Sequence, residues 1–148
     1  MFKQLTVACA IVTVALASGC ATVEMASSER DASAKTFALK PDMANIYVYR
    51  NETLGAAIRM PVILNGKLVG DTAANTYFLL EVPPGTHTVM SRGESDSSVK
   101  IDAVAGRNYF IWQEMKMGFA APRVLLQIVD EATGKAGVGE CKLVEVAK

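Results

Sequence analysis

The residues of this chain best suited to chemistry are its histidine, its cysteines, its methionines and a set of tyrosines. His87 is the only histidine. A catalytic imidazole needs a nucleophile on one ring nitrogen and an orienting group on the other. The sequence has no Gly-x-Ser-x-Gly nucleophile elbow and no second histidine to supply that arrangement. His87 follows Pro83-Pro84-Gly85 at the start of a strand, where a ring bonded to backbone is the expectation. Cys141 lies far from Cys9 and Cys20, with no partner base beside it, and reads as a small buried hydrophobe. One histidine and one such cysteine cannot build a zinc site of the usual spacing. Gly134, Gly137 and Gly139 lack the spacing of a phosphate loop. No cofactor is expected.

Two other groups have more to offer. Met115-Lys116-Met117 places two thioethers on one face of an extended strand, and soft Cu(I) accepts such ligands. Met90 and His87 are the candidates to approach from a neighbouring strand. The alternative is that Met115, Met117 and Phe119 continue a buried row begun by Tyr109 and Ile111. Tyr47, Tyr49 and Tyr77 fall on strand faces opposite Ile46, Val48 and Phe78. If that side meets solvent, with Arg50 at its end, it is a candidate binding face for a glycan or a periplasmic protein. The alternative is cross-strand packing by residues of high β-propensity.

The N-terminus carries a different chemistry. Lys3 precedes an apolar run from Leu5 to Ala17 whose only polar members are Thr6 and Thr13, and Ser18 and Gly19 follow it. Basic, apolar, then small is the order of a secretory signal peptide. As a helix the run covers only about 20 Å, short of a hydrocarbon core of roughly 30 Å. Leu16-Ala17-Ser18-Gly19-Cys20 resembles the lipobox of bacterial lipoproteins, in which cleavage precedes a diacylglyceryl-modified cysteine; Ala17 stands where leucine is usual. The resemblance implies lipidation at Cys20 and attachment to a membrane. Asp after the modified cysteine usually signals inner-membrane retention in Gram-negative lipoproteins. Ala21 stands in that position here, so the resemblance implies the outer membrane, with the domain facing the periplasm.

Charge excludes other addresses. The chain has 15 basic and 15 acidic side chains, and loss of Lys3 with the leader leaves it about one charge negative. With no polybasic run, neither nucleic acid nor an anionic lipid surface is implied. What remains after the leader is long enough to bury about two-thirds of its unfolded surface without staples.

Stepping out to the elements, residues 1–19 read as signal peptide, 20–36 as lipid anchor and flexible tether, and 37–148 as one β domain. Ser28-Glu29-Arg30-Asp31 starts like a capping box, and Asp31 and Lys35 are an i,i+4 pair, so a short helix can form inside the tether. From Asn45 the apolar period becomes two. Ile46 and Val48 mark a first strand, and Val62 and Leu64 lead into Asn65-Gly66, the strongest short hairpin signal. Thr76–Val82 places Phe78, Leu80 and Val82 on one face. Pro83-Pro84-Gly85 turns the chain back through Thr86–Met90. Val99, Ile101 and Ala103 alternate with polar residues, whereas Tyr109–Trp112 is apolar on both faces, as a central strand is. Val124–Val129 follows, residues 130–139 are a loop or poor helix, and 141–146 close a sheet. Eight to nine short strands without a helical pattern between them predict a single antiparallel β-sandwich, prealbumin-like or immunoglobulin-like.

Two stretches carry a further resemblance. Pro61-Val62-Ile63-Leu64-Asn65-Gly66-Lys67-Leu68-Val69-Gly70 with Val82-Pro83-Pro84-Gly85-Thr86-His87-Thr88-Val89 resembles the PEGA-type β-module. The wider stretch from Ala34-Lys35-Thr36-Phe37 through Ile46-Tyr47-Val48-Tyr49-Arg50 to about Val146 resembles a bacterial lipoprotein family catalogued as domain of unknown function 2846. That resemblance implies a prealbumin-like sandwich, a lipid anchor and no catalytic residue to carry over. The expected function is a tethered, non-enzymatic binding or structural module. A thioether copper-binding or other small-ligand protein is the alternative, and a hydrolase the third.

Overall fold

A computed structural model describes residues 22–148; the leader, Cys20 and Ala21 lie outside the described residues. The elements run α1 (Ser28–Ala34), β1 (Ala44–Arg50), β2 (Met60–Leu64), β3 (Lys67–Thr72), β4 (Thr76–Val82), β5 (Gly85–Ser91), β6 (Ser97–Ala103), β7 (Asn108–Lys116), β8 (Arg123–Val129), α2 (Glu131–Gly139) and β9 (Lys142–Leu143). The described residues are mostly β, with nine strands in two sheets, ordered β8-β7-β1-β4-β9 and β3-β2-β5-β6. Ile46, Val48, Phe78, Leu80 and Ile111 of the first sheet meet Val62, Val89 and Ile101 of the second in the main core.

Alternation drives these strands to their places. On β4, Phe78, Leu80 and Val82 face the second sheet, as their spacing predicts. Asn65 and Gly66 both take positive φ, 50° and 82°, which is the type I′ turn expected of this pair. Opposite the register shift at Val62/Ile63 stands Gly70, at φ 149°. A Cβ there would lie 3.0 Å from the Phe78 ring, so glycine lets β3 close over the core.

Three expectations need correction. The first sheet is mixed: β1 pairs with β7 in parallel, as does β4 with β9, while its other pairings are antiparallel. Pro83-Pro84-Gly85 does not fold β5 back beside β4. It carries the chain to the other sheet, where β5 pairs with β2 and β6; the prolines lack the N–H groups a hairpin ladder needs. The supposed flexible tether is also structured, since α1 docks on the body. The Ser27 hydroxyl accepts from Arg30 N at its N-cap, and Asp31 is held by three donors described below.

A second core explains the helices. The outer face of the first sheet carries Tyr47, Tyr49, Tyr77 and Phe110, covered by Ala34, Phe37, Val138, Cys141 and Leu143. Phe37 lies 5.2 Å from the Tyr47 ring, which stacks on Phe110 at 5.1 Å. Helix α2 is rich in glycine, a poor helix former, yet it starts on a sound cap, the Asp130 carboxylate accepting from Thr133 N at 2.9 Å. Its glycines permit contact: a Cβ on Gly134 would lie 2.1 Å from the Phe110 ring, and one on Gly137 2.2 Å from Tyr49. Close packing overrides propensity here.

The strand directions define two ends. At one lie Asn65-Gly66, Pro83–Gly85, Gly106 and the 38–43 loop, tied by Gly106 N to Met43 O. At the other lie the 51–59, 92–96 and 117–122 loops, tied by Glu94 N to Pro122 O. They are separated by about 30 Å, the length of nine-residue β7.

Gly137→Ala should therefore lower stability by about 3 kcal/mol through overpacking against Tyr49. Gly139→Ala, on the same helix but with open space at its Cβ, should raise it by about 0.5–1 kcal/mol. Denaturant midpoints of the two variants measure both. Equal midpoints would mean that α2 is not pressed on the sheet.

Candidate functional site

The tyrosine face is the first place to look, and it is closed. Tyr47, Tyr49 and Tyr77 are 1, 2 and 0 % exposed, and Arg50 is 0 % exposed. The expected solvent-facing aromatic platform is thus corrected to a core, because α1, α2 and Phe37 cover that side of β1. Tyr47 Oη donates to Ala34 O at 2.9 Å, and Tyr77 Oη to the Asp31 carboxylate at 2.8 Å. Burial pushes the phenols of Tyr47 and Tyr49 up to about 12 and raises that of Tyr77 as well.

Arg50 points the other way from the tyrosines, into the space between the sheets' ends. Its guanidinium donates to the carbonyls of Ile58, Leu54 and Gly55 at 2.8–3.0 Å and contacts Met115 Sδ at 3.6 Å. Burial lowers its pKa, partly offset by the nearby Glu52 charge. No carboxylate among the described residues makes a salt bridge with it. Arg50 is a clamp for the 51–59 loop rather than the rim of a binding face.

Asp31 is the most highly bonded carboxylate. It accepts from Tyr77 Oη, from Lys35 Nζ at 3.0 Å and from Leu143 N at 3.0 Å, and Lys35 Nζ also donates to Cys141 O. Burial acts to raise its pKa, but these hydrogen bonds and the Lys35 charge outweigh it and hold the carboxyl below its usual range.

The remaining candidates do not converge. His87 Nε2 donates to Pro83 O at 2.7 Å, while Nδ1 accepts from Asn65 Nδ2 at 2.8 Å. Both ring nitrogens are thereby engaged, with backbone on one side as expected and no Ser or Asp on either. Cys141 is buried, donates to Arg50 O, and burial pushes its thiol up to about 12. Met115 continues the inward row of Ile111 and Gln113. Met117 and Phe119 do not, because β7 ends at Lys116 and both side chains are exposed. Met90 alternates with the inward His87, Val89 and Ser91, so it lies on the outer face of its sheet, away from Met115. The three thioethers form no common face.

What the surface offers instead is apolar. Met117-Gly118-Phe119-Ala120-Ala121-Pro122 connects β7 and β8 without a charge, and Phe119 is 102 % and Met117 75 % exposed. At the other end, a groove of about 510 Å³ runs between α1 and the C-terminal segment, lined by Leu39, Leu79, Val144 and Val146. Ion pairs Lys40–Glu81 and Arg30–Glu145 flank it. Strand β9 covers only Thr76 and Tyr77 of β4. Since Tyr77 O faces β9 and accepts from Val144 N, alternation turns the backbone groups of Leu79 and Glu81 to this open edge. Neither feature emerged from the sequence. The uncharged Met-Gly-Phe-Ala-Ala-Pro run between two strands was the available signal for the first. The groove joins segments distant in sequence and had none.

Residues 40–125 match the family described as protein of unknown function (DUF2846). An uncharacterized protein of Haemophilus influenzae is 34% identical over 145 residues, covering 95% of this chain and 86% of its own. No solved structure matches.

Two outcomes follow from this geometry. Tyr47→Ser with Tyr49→Ser should lose at least about 3 kcal/mol of stability, as truncation of buried aromatics does; an unchanged denaturant midpoint would reopen the exposed-face reading. Asp31, with a depressed folded pKa, contributes its full stabilisation above the ordinary carboxylate value of about 4 and loses it as pH falls through the folded value. The Leu143 amide resonance should therefore titrate with a midpoint below about pH 4. Asp31→Asn should abolish that titration, and its persistence would show that Asp31 does not hold the helix.

Proposed function

The chain belongs to the DUF2846 family of proteins of unknown function, and from that premise we propose that it is a lipid-anchored, non-catalytic module of the outer membrane. Cys20 carries the lipid, and the body, a prealbumin-like sandwich in this reading, faces the periplasm. The observation that carries the proposal is how soon the fold begins after the lipobox-like sequence. Val23 already packs against the main core, and Met25 bridges to Val144. A domain that starts three residues past a modified cysteine is a domain built to sit at its anchor.

Support for the absence of catalysis comes from how the reactive groups are used. His87 and Cys141 are spent on internal hydrogen bonds, and Asp31 holds α1 in place. The surface left for a periplasmic protein partner is the Phe119 loop. An exposed aromatic on a short loop between two paired strands is a low-entropy anchor for an apolar pocket. No nucleic acid enters this reading, and it requires no cofactor.

Fractionation and cross-linking test it. One lipid chain binds membranes only marginally, but two or more hold stably. The native protein should therefore sediment with membranes and the Cys20→Ala variant should be released or left unprocessed. Mass spectrometry of the membrane-bound chain finding Cys20 unmodified would overturn the anchor. Phe119→Ser with Met117→Ser should move stability by less than about 0.5 kcal/mol while abolishing in-cell cross-links made from the β7–β8 loop. Cross-links that persist unchanged would remove the loop from the proposal.

A further inference from the structure

Met25, five residues after Cys20, lies beside an apolar patch, and the two observations together assign that patch a role. Met25, Leu39, Leu68 and Val146 are each 41 to 54 % exposed. They come from four parts of the sequence, yet Val146 shares a groove with each of the other three: with Leu39 beside α1, with Met25 beside the incoming chain, and with Leu68 beside β3. Contiguous exposed apolar surface on a monomer marks a contact with something else.

The path of the chain says what that is. Met25 pairs antiparallel with Val144, with Ala26 N donating to Leu143 O and Glu145 N to Glu24 O, and Ala147 N donates to Val69 O at 2.7 Å. The chain therefore enters at the patch, at the Asn65 end of the body. From Val23 back to Cys20 is three residues, which span at most about 11 Å. Resting on the reading that Cys20 is lipidated, we infer that the patch around Val146 is the face with which the domain lies on the lipid bilayer. A link this short leaves no length for the domain to turn another face to the membrane.

The chemistry of the patch fits an interfacial contact. Lys67 stands beside Leu68, and Lys40 and Arg30 stand at the groove rim. Long cationic side chains lay their stems on apolar surface and lift their charge to headgroup level. Glu81 and Glu145 are tied to Lys40 and Arg30, and Glu24 and Lys148 both line the groove by the incoming chain. With the charges nearly balanced, apolar contact rather than anionic lipid drives the attachment, at about 0.8 kcal/mol per buried CH₂. The same contact shields the open β4 edge at Leu79 and Glu81, a site that would otherwise pair with another chain. It also sets the Phe119 loop about 30 Å from the bilayer, at the far end of β7.

Depth-dependent quenching decides the matter. The full chain with its anchor, as Leu68→Cys, Val146→Cys or Phe119→Cys, is labelled with a nitrobenzoxadiazole maleimide, Cys141 being buried. Each is reconstituted into phosphatidylethanolamine–phosphatidylglycerol vesicles containing doxyl-labelled lipid. Fluorescence at 68 and 146 should fall about twofold relative to vesicles without quencher, as for groups within the interfacial zone, and fluorescence at 119 should not change. Flotation of the unsubstituted chain with the same vesicles tests the anchor separately. If that chain fails to float, the anchored reading falls and this inference with it. If it floats but 68 and 146 are quenched no more than 119, the anchor stands and the orientation is wrong. Quenching at 119 alone would place the opposite end on the membrane and overturn the inference as well.

Discussion

Strand β1 lies between β4 and β7 with apolar groups on both of its faces, and all seven of its residues are buried. Ile46 and Val48 reach the second sheet, whereas Tyr47 and Tyr49 reach the helices. Drying the tyrosine side requires a layer outside the sheet, and among the described residues α1, α2, the Phe37 turn and the Cys141–Leu143 segment supply it. Close approach of α2 in turn requires Gly134 and Gly137, since a methyl group at either position would enter an aromatic ring. The other side of the layer depends on Asp31, whose carboxylate joins α1 to Tyr77 of β4 and to Leu143 of β9. One constraint, a central strand that must be dry on both sides, accounts for both helices and for the composition of each.

That constraint also disposes of the reactive groups. Between the sheets, Gln113 is fully buried, accepting from the Thr72 hydroxyl and donating to Ser91 Oγ at 2.8 Å. Arg50 satisfies three loop carbonyls in place of a carboxylate. An unmet buried donor or acceptor costs about 1–3 kcal/mol, and most of these atoms are bonded, Arg50 Nε and Trp112 Nε1 being buried without a partner among the described residues. The bonded polar atoms between the sheets help to hold the core together. The exposed surface is polarised: an apolar patch around Val146, an apolar loop at the opposite end.

The two ends imply a division of labour in the proposed reading. A short link at one end keeps the body at its anchor, and the length of β7 carries the Phe119 loop away from it. No moving part is needed. The rigid sheet is the spacer, and the loop at its tip is free to vary its chemistry without disturbing either core.

Much of this was legible in the residues themselves. Alternation located most of the long strands, Asn65-Gly66 specified its turn through positive φ, and the two-sided apolar run at Tyr109–Trp112 marked a central strand. These are local properties: a period of two, or a backbone conformation few residues tolerate, is written in consecutive side chains. The backbone-bonded ring of His87 and the buried thiol of Cys141 were likewise readable, one from its place after a Pro-Gly turn and the other from its lack of a partner base in sequence. What the tertiary structure alone decided was that both faces of β1 are dry. Tyr47 and Tyr49 have the same local pattern whether they meet water or a helix, and the helix that covers Tyr49 is built from Glu131–Gly139, some eighty residues later, with almost no amphipathic signal of its own. The parallel pairing of β1 with β7, the crossing at Pro83-Pro84 and the patch around Val146 are of the same kind. Each is a meeting of segments far apart in the chain, and no local period records which distant segment fills a strand's open side.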